Sequence, residues 1–202
     1  MRKSLRHVAS LVLCAAMVWS GQVRAQAAAT AAPTETELKA AFIFKFATYV
    51  EWPKSAFADD HAPLVFCVAG DAALAVELRK TVVGRTLNGR DLVARDCAST
   101  AEVAAAQIAY IAPGAPGALA RAAEGRPVLL VTEDDGGLGA GATINLLHQD
   151  RHIRFEVSLA AAEKAGLTVS SRLLSVAVRI RKSDAFPGSD TSFAALPLCS
   201  CA

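Results

Sequence analysis

Apolar and polar positions alternate in two neighbouring stretches of the C-terminal half. Ile144, Leu146 and His148 fall on one face of an extended segment, and Asn145 and Leu147 on the other. After the polar turn Gln149-Asp150-Arg151-His152 the alternation resumes, with Ile153, Phe155 and Val157 on one face and Arg154 and Glu156 on the outer one. Two period-2 runs around a short polar loop predict an antiparallel hairpin with one face on a core. Ser158 is placed to cap a short helix, Ala160 to Ala165, which Gly166 ends in a left-handed conformation. Leu167 and Val169 lead to Ser170 and Ser171, an N-cap for a helix that collects Leu173, Leu174, Val176 and Ala177 on one face. After Arg179-Ile180-Arg181-Lys182 the pattern dissolves.

Upstream the periods differ. Thr34 and Glu37 have capping-box spacing, and the helix they open runs to Trp52, where Pro53 stops it. Its stripe is Leu38, Ala41, Phe42, Lys45, Phe46, Tyr49 and Val50, widened by Ile43, Phe44 and Ala47. So apolar a helix is buried, either in the domain core or against a partner. Leu64–Ala69 is a continuous apolar run, followed by Gly70-Asp71 and a helix over Ala72–Val82; strand, glycine and helix in that order begin a βαβ unit. A turn at Asn88-Gly89 precedes a strand over Asp91–Ala94. A helix over Ala101–Ala106, a strand over Gln107–Ile111, a helix over Ala118–Glu124 and a buried strand over Pro127–Thr132 follow. The fold class is α/β, a single compact domain over residues 34–182. Its sheet is mixed and mostly parallel, contains the antiparallel hairpin, and is flanked by helices.

Composition changes this picture at the ends. The 202 residues suffice for one well-cored domain. Arg2, Lys3 and Arg6 precede an apolar run from Val8 to Trp19 and the small-residue site Val23-Arg24-Ala25, the pattern of a secretory signal spanning residues 1–25. Removing it takes four of the 21 basic residues and none of the 19 acidic ones, which leaves a net charge of −2. That balance gives no reason to expect nucleic acid. Residues 26–33, rich in Ala and Thr, read as a disordered start of the mature chain, and residues 183–202 as a flexible tail. The mature chain is expected to be soluble and exported. Export makes pairing of Cys67 with Cys97 the expected state, two buried thiols being the alternative. Cys199 and Cys201, near the end, link chains, bind a soft metal or have no role.

Candidate chemistry is sparse. The loop Gly136–Gly141 opens a strand rather than a helix, against the order that phosphate-binding loops need. His148 and His152 bracket a turn without a helical i,i+4 relation, so no zinc site is expected; Asp134 and Asp135 read as solvated. No Gly-x-Ser-x-Gly elbow occurs, and no cysteine lies in a nucleophile context. The chain therefore reads as a non-enzyme, with no cofactor and no metal. Arg154, Glu156, Glu163 and Arg172 are the candidate partner-facing charges, a surface ion-pair network being the alternative. The turn at Gly70-Asp71 keeps open a second class, a periplasmic small-ligand-binding module.

Four blocks in order, LKAAFIFKFATYVEWP (38–53), LVFCVAGD (64–71), GATINLL (141–147) and RFEVSLAAAEKAGLTVSSRLLSVA (154–177), resemble the YfiR family of periplasmic regulators. The resemblance spans Glu37 to Arg179. It implies a compact α/β domain, often dimeric, that binds the periplasmic sensor domain of an inner-membrane diguanylate cyclase and holds it inactive. Cyclic-di-GMP output then falls and biofilm formation is restrained. It further implies sequestration by an outer-membrane lipoprotein and sensitivity to periplasmic redox state. The family's cysteine pattern carries over as Cys67 and Cys97, while the second internal disulfide of some members has no counterpart.

Overall fold

The structure, a computed structural model, describes residues 32–135, 138–139, 141–149 and 152–182. The signal segment, most of the Ala/Thr-rich stretch, Cys199, Cys201 and the tail after Lys182 lie outside the described residues.

Thr34 opens helix α1 (Glu35–Thr48) as its spacing predicts. Its hydroxyl accepts the Glu37 N–H at 3.2 Å, and the Glu37 carboxylate accepts the Thr34 N–H at 2.7 Å. The helix stops four residues before the predicted end. Val50–Glu51 leave it as strand β1, paired antiparallel with β9 (Thr168–Val169), and Ser170 N–H donates to the Tyr49 carbonyl. The fully buried line is Ala40, Ile43, Phe46 and Ala47, whereas Ala41 and Lys45 of the predicted stripe are exposed. Small side chains at 40 and 47 suit a helix that packs against another, as α1 does against α2 (Ala72–Val82).

Strand β2 (Leu64–Ala69) is buried throughout because both sheet faces are covered. Gly70, at φ 86°, turns the chain, and Asp71 caps α2 by accepting the Leu74 N–H at 2.9 Å. Asn88 and Gly89, both at positive φ, make the two-residue turn between β3 (Thr86–Leu87) and β4 (Arg90–Asp96). Ser99 and Glu102 form a second capping box on α3 (Thr100–Ala104). Then follow β5 (Ile108–Ile111), α4 (Gly117–Arg121), β6 (Leu129–Thr132), β7 (Ile144–Gln149), β8 (His152–Ser158), α5 (Leu159–Lys164), α6 (Ser171–Leu174) and β10 (Arg179–Arg181).

The main sheet runs β10-β8-β7-β6-β5-β2-β4-β3. It is parallel except at the β7–β8 and β3–β4 hairpins. This is the predicted fold class. One core lies between the sheet and α1–α2, where Phe46 meets Phe155 edge to face at 5.0 Å. The other face carries Val65, Cys67, Ala109 and Leu130 against Val103 of α3 and Leu119 of α4.

Three further expectations change. The hairpin strands are longer than predicted, since Gln149 pairs with His152 and only residues 150–151 connect them. The last helix ends at Leu174, and Arg179–Arg181, to which no element was assigned, form a parallel edge strand against β8. Glu156, assigned with Arg154 to the outer face, is 0% exposed. That face is solvated at Arg154 but covered at Glu156, where Asn145 reaches Asp134 and Arg181 reaches the Leu138 carbonyl at 2.7 Å.

Candidate functional site

The densest polar convergence lies at the carboxyl ends of β5 and β6. Glu35 and Lys39, four apart on α1, share a helix face, and the Lys39 ammonium sits 2.9 Å from Glu35 Oε1. The same ammonium is 2.8 Å from Oε1 of Glu133, the first residue after β6. Tyr110 of β5 donates its hydroxyl to Glu133 Oε2 at 2.5 Å, and His148 Nε2 of β7 lies 2.5 Å from Glu133 Oε1 and 3.6 Å from Glu35 Oε1. Burial would raise the Glu133 pKa. Hydrogen bonds from Lys39, Tyr110 and His148 outweigh it and hold the carboxyl below its ordinary value. Burial and the Glu133 carboxylate push the Tyr110 hydroxyl far up, so it stays a donor. Lys39, which burial alone would depress, is raised by its two carboxylate partners.

Such a carboxylate, fully engaged and held below its ordinary pKa, is poorly suited to general acid–base work near neutrality. Its visible effect is to tie α1, β5, β6 and β7 together. Glu35, Glu133 and His148 place ligand-type atoms within 4.8 Å of one another. The Lys39 ammonium already supplies the cation between the two carboxylates. From the sequence no metal site was expected at His148, and Lys39 and Glu133 were passed over. The available signals were the i,i+4 pair Glu35–Lys39 and an acid at the end of a buried parallel strand.

A second feature sits where the winding direction reverses. The chain leaves β2 through α2 toward β4, then returns past β2 through α3, on the other face, to β5. Open α/β sheets bind ligands at such switch points, and here a crevice of about 710 Å³ is lined by Gly70, Asp96, Cys97, Glu102, Gly114 and Leu119. Glu102 is occupied as a cap, accepting from Ala98 N–H, Ser99 N–H and the Ser99 hydroxyl. Cys67 and Cys97 form a disulfide at its wall, Cα to Cα 5.7 Å. A Cβ on Gly70 would stand 3.1 Å from Ala112 Cβ and 3.2 Å from Ala115 Cβ, at a φ that L-residues avoid. Gly70→Ala is therefore expected to cost about 2 kcal/mol, read as a lower urea midpoint. A cost near zero would show that the two loops yield freely.

The predicted partner-facing charges divide. Arg154, Glu163 and Arg172 are exposed. Glu156 is buried and accepts from Asn145 Nδ2 at 3.2 Å and from Arg179 at 3.3 Å, while Asn145 also binds Thr132 and Asp134. Sequence reading missed Arg179 as the partner of Glu156.

A family model described as YfiR/HmsC-like matches residues 36–178. Among solved structures the chain is similar to a conserved domain protein from Vibrio cholerae O1 biovar El Tor. Identity is 14%, with 73% of this chain and 60% of that one covered, at a TM-score of 0.45. The chain thus spans less than two thirds of that protein's length. No curated protein matches it.

Proposed function

We infer, because the chain belongs to the YfiR/HmsC-like family, that it is a periplasmic regulator of a membrane diguanylate cyclase. It binds the cyclase's periplasmic sensor domain and represses it, lowering cyclic-di-GMP and biofilm formation. An outer-membrane lipoprotein that sequesters it and a homodimeric state belong to the same reading, as does export after loss of residues 1–25. The observation that carries this reading is the family match over residues 36–178, nearly the whole folded domain. The polar groups support it, because the Glu133 carboxylate and Glu102 are spent on structural partners. Deleting the gene in its native host is expected to raise cyclic-di-GMP, and exported but not cytoplasmic protein is expected to reverse the rise. An unchanged level on deletion would overturn the reading.

The crevice at the switch point favours one second reading, a small-ligand-binding module. A metabolite that binds the folded state must raise the melting temperature, and Leu119→Lys, which projects a charge into the crevice, should abolish that shift.

A further inference from the structure

We propose that the edge strand β10 is a docking strand for an acidic, extended segment of a partner protein, which adds to the sheet beside it. The proposal rests on the reading above that the chain acts through protein contact.

β10 ends the eight-stranded sheet and pairs only with β8 among the described residues. Val178 N–H points inward to the Phe155 carbonyl at 3.0 Å. By strand alternation, the backbone groups of Arg179 and Arg181 face away from the sheet and have no strand partner among the described residues. An edge strand commonly carries charge or proline that discourages pairing. This one carries its cations on one side and apolar side chains on the other, Val178 and Ile180 at 49% and 37% exposure, continued by Val176 at 63%. Half of the large exposed hydrophobic residues described in the chain sit in this one segment.

The other half of the recognition is charge. From Ser171 to Lys182 there are four cations, Arg172, Arg179, Arg181 and Lys182, and no acid. Glu156 engages Arg179, whose side chain is nevertheless 70% exposed, and α5 beside β10 carries one charge of each sign, Glu163 and Lys164. The edge is thus locally basic. A strand with acidic residues on one side and apolar ones on the other would meet the arginines and the valine–isoleucine side together, with backbone hydrogen bonds supplying the register. A second copy of this chain fits badly, because antiparallel pairing of two β10 strands sets like charges opposite one another. The chain's own residues 183–202 contain only two acids, Asp184 and Asp190, in twenty residues.

The test uses a short peptide alternating Glu with Val, a Lys/Val control peptide, and full-length protein with Val178→Asp and Lys182→Glu combined. Both substituted side chains are exposed, and an unchanged melting temperature checks the fold. The Glu/Val peptide is expected to bind wild type at low salt and the variant at least about tenfold more weakly, with the Lys/Val peptide not binding. The proposal is overturned if neither peptide binds, if both bind alike, or if the Glu/Val peptide binds only after residues 183–202 are removed. Loss of a dimer in the variant without loss of peptide binding would also overturn it. The cyclic-di-GMP assay on the same variant separates this inference from the functional reading. A variant that restores the low level as well as wild type does sinks the docking strand alone. Peptide binding by a wild-type protein that has no effect on cyclic-di-GMP sinks the functional reading alone.

Discussion

Glu133→Ala is expected to lower the stability of the domain by about 2–4 kcal/mol, a loss typical of breaking a partly buried ion-pair and hydrogen-bond network. The Glu133 side chain is only 10% exposed and that of Lys39 12%, so water screens their contact weakly. Without Glu133, Lys39 keeps Glu35 alone, and the Tyr110 hydroxyl loses its acceptor in a residue that is 1% exposed. Glu35 and His148 are 59% and 45% exposed, and their contacts contribute little of the total. Glu133→Gln should fall between, since an amide oxygen still accepts from Tyr110 but leaves the ammonium without its charge partner. The pH dependence follows from the direction of each shift. The Glu133 pKa is lowered on folding, so its contribution is complete above the ordinary value of 4.5 and is lost as pH falls through the lower folded value. Those of Tyr110 and Lys39 are raised, so their contributions are complete below 10.0 and 10.5 and are lost as pH rises through the higher folded values. Urea unfolding across pH should show a plateau with falls on both sides, flatter in Glu133→Gln. A loss under about 0.5 kcal/mol at neutral pH would instead class the cluster with solvated surface pairs.

That cluster also marks the boundary of what the chain discloses in one dimension. Caps were legible because their signal is local, as in Thr34 with Glu37, Ser158 before α5 and Ser170 before α6. So were the buried strand β2 and the hairpin β7–β8, whose periods reflect two covered faces and one. Family membership was legible from blocks that combine these caps and strands. Strands of two or three residues were not. Val50–Glu51, Thr168–Val169 and Arg179–Arg181 are too short to show a period, and only their partners make them strands. Side-chain burial on the second sheet face was illegible for a related reason. Whether Glu156 meets water depends on where Asp134 and Leu138 sit beside β7 and β10, and those contacts have no periodic signature. Glu133 illustrates the same limit, because its three partners, Lys39, Tyr110 and His148, come from segments up to about a hundred residues away.

The second large effect is expected at Cys67–Cys97. The bridge joins the middle of β2 to the residue after β4 across 30 positions. Closing a loop of that size removes unfolded-state entropy worth about 3–4 kcal/mol. β2 and β4 already pair in parallel, and Cys97 N–H donates to the Val68 carbonyl at 2.8 Å, so the folded state needs little rearrangement to lose the covalent link. The effect should therefore lie in the unfolded chain. The Cys67→Ala, Cys97→Ala double variant is expected to keep the native fold, to lose about 3 kcal/mol, and to unfold with a steeper denaturant slope because its unfolded state exposes more surface. Alanine is preferable to serine here, since both positions are at least 96% buried and a hydroxyl would need a new partner. Reductant should bring the wild type down to the variant and leave the variant unmoved. A wild type indifferent to reductant would mean that the two thiols are not bridged in solution. If the variant still lowers cyclic-di-GMP at a temperature where it is folded, the bridge is a staple, and any redox response must lie elsewhere in the chain. If repression fails while the fold persists, the crevice beside Cys97 becomes the first place to look for the partner's or a ligand's influence.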